Sequence, residues 1–284
     1  MNLVEIENYF HFHNSNMRLL KIGFEEIRTQ IKILHLKNNK HNKFIYCLEN
    51  SNLEKIEIRK KEKSLSRILS GIQVSWAEES IKRLFYEQNL LTEMQREYLL
   101  EQPLEQKWYK TLKIIFCIAY DLVPIGDEIC STIKIKNQKR NLGIELVSHY
   151  FELRKIITEY LVPNFAIRNK VQHGEWAFAF KPSHSKEYSQ EHTDMLNKEN
   201  LVTTTSRFTL VNTFYQMIVD MGRFKSNSFA IDSIITPFEY FYQKNILKIK
   251  FETSKIKNSE IDNYIMLRIQ KVERGIEYKV RNSH

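Results

Sequence analysis

The stretch Leu142-Gly143-Ile144-Glu145-Leu146-Val147-Ser148-His149-Tyr150-Phe151-Glu152-Leu153-Arg154-Lys155-Ile156-Ile157-Thr158-Glu159-Tyr160 is the cleanest amphipath in the chain. Leu142, Leu146, Tyr150, Leu153, Ile157 and Tyr160 recur at steps of three and four, so on a helix they line one face. Pro163 then predicts a break, with Asn164 placed to cap a following helix.

Working outward, the same periodicity dominates. Met17 to Lys37 reads as a helix carrying Leu20, Phe24, Ile27, Ile31 and Leu34 on one face, ending in a polar basic linker from Lys37 to Lys43. Phe44 to Arg59 reads either as a hairpin around Glu49 to Asn52 or as short helical turns. From Ser64 onward Ala77, Ile81, Leu84, Phe85 and Leu91 form a stripe. Thr92 with Gln95 has the pattern of a capping box for a short helix reaching Glu101. Pro103 restarts the chain into a helix faced by Trp108, Leu112, Ile115, Phe116, Ala119 and Leu122. Lys181 to Asn200 reads as a long polar loop, and Ser206 to Met221 as a last bundle helix with Phe208, Val211, Tyr215 and Ile218 inward. Beyond it, Leu247 to Phe251 and Ile276 to Val280 alternate like strands, and Ser259 with Asp262 starts a helix.

With only 7 Gly and 5 Pro among 284 residues, the chain lacks the turn residues an all-β fold needs. The expected class is mainly α, with an N-terminal helical region over 1–62, a helical bundle over 63–223 and a C-terminal extension over 224–284 that holds a small β element. A net charge of +9 and a pI near 9.2 favour a polyanionic partner. Cys47, Cys117 and Cys130 are too few and scattered for a disulfide framework or a Cys-x-x-Cys metal site, and Cys117 sits in an apolar run that suits a buried thiol. The acidic N-terminus lacks the basic and apolar regions of a signal peptide, and no apolar run is long enough to span a bilayer, so a cytoplasmic protein is expected.

The chemistry concentrates in Ile167-Arg168-Asn169-Lys170-Val171-Gln172-His173-Gly174-Glu175-Trp176, which holds a phosphate-binding fork, an amide and an imidazole within a few residues. A second Arg-to-His spacing, Arg28 to His35, has Thr29 where Arg168 has Asn169. Arg168-Asn169, three residues and His173, late in a helical layout, resemble the signature of the HEPN superfamily. That resemblance covers roughly residues 63 to 223. It implies an antiparallel helical bundle acting as a metal-independent endoribonuclease. RNA would be cut by its own 2′-hydroxyl, leaving a 2′,3′-cyclic phosphate and a 5′-hydroxyl. Arg168, Asn169 and His173 would be catalytic and Lys170 and Gln172 would bind substrate, with no metal and no cofactor.

Chemistry and geometry fit this expectation in different ways. An imidazole can serve as base or acid near neutral pH, and an Arg fork can clamp a phosphate. Yet five residues on a regular helix turn through about 500°, leaving Arg168 and His173 about 140° apart. Either the helix unwinds at Gly174 or a second subunit completes the site, and the resemblance implies a homodimer. It also implies a toxin or anti-phage role with a regulatory or antitoxin partner. Glu175 stands where members regulated by a nucleotidyltransferase antitoxin carry Tyr. The alternative is a non-catalytic helical RNA-binding or complex-forming subunit. His11 and His13 suit one face of a strand but lack further ligands for zinc, and Glu78 or Glu79 offers a carboxylate to buttress Arg168. Glycine-rich phosphate loops, nucleophile elbows and His-Glu-x-x-His are absent from the sequence.

Overall fold

The computed structural model describes residues 2–44, 50–177, 179–181, 184–226, 245 and 248–256. They form a mainly α-helical fold. Two long helices, α1 (Leu3–Phe44) and α2 (Asn50–Phe85), lead the chain. Then come α3 (Glu93–Leu100), α4 (Leu104–Ala119), a 3-10 turn (Ile135–Gln138), the single-turn α5 (Lys139–Leu142) and α6 (Ile144–Ile156). A π-helical turn (Ile157–Leu161) joins α6 to α7 (Val162–Gln172). A small hairpin, β1 (Phe180–Lys181) and β2 (His184–Tyr188), precedes α8 (Gln190–Lys198) and α9 (Leu201–Ser226).

Apolar spacing accounts for the packing. α1 lies along α2, with His13 against Glu79 at one level and His35 against Glu62 at another, so the two run antiparallel. Between those levels Phe24, Ile31 and Leu69 are fully buried. Trp76 meets Phe208 at 4.8 Å and Arg83 donates to the Tyr215 hydroxyl at 2.6 Å, so α9 runs in the same direction as α2. Trp108 stacks on Phe214, and Phe116 packs on Tyr150, which closes the core through α4, α9 and α6. The Thr92 capping box forms in full: Gln95 N–H donates to Thr92 Oγ1 at 3.3 Å and Thr92 N–H to Gln95 Oε1 at 3.0 Å.

Several expectations are corrected. Pro163 does not stop the helix: Val162 N–H bonds the Ile157 carbonyl across a π turn, and that wider turn admits the proline ring at the start of α7. Asn164 therefore lies inside α7 rather than capping it. The linker from Lys37 to Lys43 is helical to Phe44, and Asn50 to Arg59 belongs to α2, so Ile56 and Ile58 are not in a hairpin; Ile45 to Glu49 lie outside the described residues. Lys181 to Asn200 holds β2 and α8 in place of a loop. His11 and His13 sit on α1, where neighbours two apart diverge. Residues 248–256 are helical, not a strand, and Ile249 is buried against the main core; Ser259, Asp262 and Ile276 to Val280 lie outside the described residues.

One buried polar junction ties these elements together. Arg207 on α9 donates to both carboxylate oxygens of Glu199 at the end of α8 and, at 2.6 Å, to Asn164 Oδ1. Asn164 Nδ2 donates to the Tyr160 carbonyl at 2.6 Å and reaches Gln73 Oε1 at 3.4 Å. All four side chains belong to buried residues. Removing one member of a buried ion pair leaves the other uncompensated, so Glu199→Ala is expected to destabilise the fold by about 3–5 kcal/mol. Denaturant unfolding measures it, with exposed Glu191→Ala as the control expected to change little.

Candidate functional site

α7 presents the Arg168 to His173 segment as a regular helix that ends at His173. Gly174, with φ of 79°, supplies the left-handed residue after the helix, and Glu175 N–H returns to the Lys170 carbonyl at 3.0 Å while Gly174 N–H bonds Val171 O at 3.2 Å. This is a Schellman closure. In place of the apolar contact that often seals it, Lys170 Nζ pairs with Glu175 at 3.1 Å, and Trp176 Nε1 donates to the Val171 carbonyl at 3.0 Å.

Each segment residue has a distinct place. Arg168 is half-buried and its Nη2 donates to Glu78 Oε2 on α2 at 2.7 Å, while Nη1 donates to Asn169 Oδ1 at 3.3 Å. Asn169 and Gln172 are exposed. Lys170 is buried against Glu175, so its ammonium faces the helix cap rather than solvent. His173 is exposed, and among the described residues its ring makes no hydrogen bond. Within one chain the Arg168 fork turns to α2 while the His173 ring stands at the helix end.

Behind Arg168 a chain of charges crosses the bundle. Glu78 Oε1 accepts from Lys82 Nζ at 2.8 Å; Lys82 also reaches Glu79 at 3.4 Å; and Glu79 Oε2 binds His13 Nδ1 at 2.9 Å and Asn16 Nδ2 at 3.0 Å. The His13 hydrogen bond, Asn16 and the Lys82 charge together overcome burial and lower the Glu79 pKa to about 2. Burial works against the Lys82 ammonium, but Glu78 and Glu79 outweigh it and hold its pKa above the ordinary value. On α4, burial and the Lys82 charge pull Lys107 below the ordinary value, opposed by Glu78. The two carboxylates border an open groove of about 500 Å³ lined by Asn16, Leu19, Leu20, Gly23, Ile72 and Ser75.

Glu78 is thus the carboxylate that buttresses Arg168. The participation of His13, Asn16, Lys82 and Lys107 was missed in sequence. His13 had a visible signal, since it precedes Met17 by one turn and extends the inward stripe through Phe24. Among the described residues no three His, Cys, Asp or Glu side chains are grouped to hold a metal ion, and no helix is long and apolar enough to cross a membrane. Compared with family models, curated proteins and solved structures, the chain matches none.

Two measurements test this local architecture. No atom lies near a Cβ built on Gly174, so the cost of a side chain there is conformational. Gly174→Val is expected to cost about 1–2 kcal/mol and Gly174→Asn distinctly less, read from thermal unfolding. Because folding lowers the Glu79 pKa from 4.5 to about 2, its ionised form stabilises the fold above pH 4.5 and that contribution is lost as the pH falls toward 2. Acid titration of stability in Glu79→Gln is therefore expected to fall less steeply than wild type within that window.

Proposed function

We propose that the protein is a metal-independent endoribonuclease of the HEPN kind, working as a homodimer. The observation that carries this reading is the exposed His173 ring at the end of α7, five residues beyond an Arg168 fork held by Glu78 and Asn169. In the reaction, a His173 base removes the 2′-hydroxyl proton and the 2′-oxygen bonds to phosphorus. The bond to the 5′-oxygen breaks, and a protonated His173 of the partner subunit supplies that oxygen's proton. Arg168 steadies the charge growing on the phosphoryl oxygens, with Asn169 orienting the fork. A second copy is required because α7 is regular up to His173, which keeps the two groups about 140° apart around one helix. The net charge of +9 supports attraction of RNA. A toxin or anti-phage role, restrained by a regulatory or antitoxin protein, comes from the motif resemblance alone.

A second reading has its own observation in support. Glu78 already balances the Arg168 charge at 2.7 Å, which suits a helical RNA-binding or complex-forming subunit whose Arg and His contact phosphate without cleaving it.

Incubating wild type and His173→Ala with RNA in EDTA separates the two. The ribonuclease reading predicts 2′,3′-cyclic phosphate ends from wild type and a loss of about 10²–10⁴-fold in the variant, with RNA binding retained. Equal cleavage by both would overturn the role of His173. RNA binding without cleavage by wild type would establish the second reading.

A further inference from the structure

α1 has two apolar faces, and among the described residues only one is used. At about 100° per residue, Met17, Phe24, Ile31 and His35 cluster on the side packed against α2. Phe12, Leu19, Ile22 and Ile33 fall on the opposite side and are exposed by 61%, 69%, 66% and 49%. Ser15, Glu26 and Thr29 complete that outer stripe. A helix apolar on one side needs one partner, and this one has apolar residues for two. Along its outer side Arg18, Lys21, Ile22, Glu25, Glu26 and Thr29 flank an open groove of about 560 Å³.

We propose that the outer stripe of α1 is a self-association surface whose occupant is the α1 helix of a second copy of this chain, laid antiparallel about a twofold axis near Ile22. The spacing is the first argument. Under that symmetry Ile22 meets its own copy, Leu19 comes opposite Glu25, Ser15 opposite Thr29, and Phe12 falls within one residue of Ile33. The two large apolar ends of the stripe therefore cover each other.

Charge is the second argument, and it fixes the direction. Arg18 and Lys21 lie on the N-terminal side of Ile22 and have no ion-pair partner among the described residues. Glu25 and Glu26 lie on the C-terminal side. Among the described residues Glu26 has only a hydrogen bond from Gln30, at 3.3 Å, and no cation. Arg18 and Glu26 are equidistant from Ile22, so antiparallel pairing places each opposite the other's copy. Parallel pairing would set Arg18 on Arg18 and Glu26 on Glu26, which like-charge repulsion opposes.

This surface stands on its own observations and does not depend on the ribonuclease reading. The experiment is sedimentation or light-scattering mass of the full chain at tens of micromolar. Wild type is expected to be a dimer. Ile22→Glu is expected to be a monomer with unchanged helical circular dichroism, since the residue is exposed and its loss leaves the α2 face intact. Arg18→Glu and Glu26→Arg are each expected to weaken the dimer by about tenfold, and the two together to restore it. A monomeric wild type overturns the proposal, whether the stripe is then bare or covered by another part of the chain. An Ile22→Glu dimer also overturns it. A double variant no tighter than the single variants overturns the antiparallel pairing.

Discussion

Arg207 brings a permanent charge to the place where α2, α7, α8 and α9 meet, and everything that positions the candidate site depends on how that charge is satisfied. Glu199 meets it with both carboxylate oxygens, and Asn164 takes a further donor. A planar fork is satisfied in few orientations, so the junction fixes the rotation of α7 about its own axis as well as its place. Asn164 and Arg168 are one turn apart on α7, on the same face, and reach Gln73 and Glu78 on α2. The buried polar rung thus sets the half-exposed ion pair in front of it. The pairing is weak evidence for net stability, because apolar replacements of similar shape can hold a fold as well. What it adds is a single register between α2 and α7.

The π turn has a related effect. A proline inside a helix removes a donor and crowds the preceding turn, and a break would be the ordinary outcome. Here the extra residue of the π turn takes up the clash, so α6 and α7 remain joined and Asn164 falls inside the helix. Had Pro163 ended the helix, Asn164 would have spent its side chain on a cap. Instead its amide links the Tyr160 carbonyl, Gln73 and Arg207. The small irregularity is what frees a polar side chain to serve tertiary contacts.

Contacts between near neighbours are therefore legible in the sequence, and contacts between distant residues are not. Thr92 and Gln95 are three apart and satisfy each other, and the stripes of α4 and α9 place Trp108, Phe116 and Tyr215 inward without tertiary knowledge. Of the strand expected at Leu247 to Phe251, residues 248–251 are helical, because two-residue alternation over a few positions also fits a helix, in which Ile249 is the buried member. The same ambiguity affected Phe44 to Arg59, where charged residues on both sides of Ile56 and Ile58 hid the helical face. In the site, the segment from Arg168 to His173 and the capping role of Gly174 follow from adjacent residues. The partnership of Arg168 with Glu78, and of Glu79 with His13, joins residues far apart in the chain. A sequence offers carboxylates in plenty, and only packing selects one.

The arrangement of charge around Arg168 constrains any chemistry the site performs. Glu78 is shared between Arg168 and Lys82, so neither cation has the whole of its negative charge. Lys82 is itself also near Glu79, so it divides its charge between the two carboxylates. Lys107, held below its ordinary pKa by burial and by Lys82, adds positive potential on the same side. With Arg168, Lys82 and Lys107 against Glu78 and Glu79, a net positive charge remains where α2, α4 and α7 come together. An isolated Arg–Glu pair would have cancelled its own field. This ladder leaves an excess of positive charge while keeping the Arg168 fork oriented.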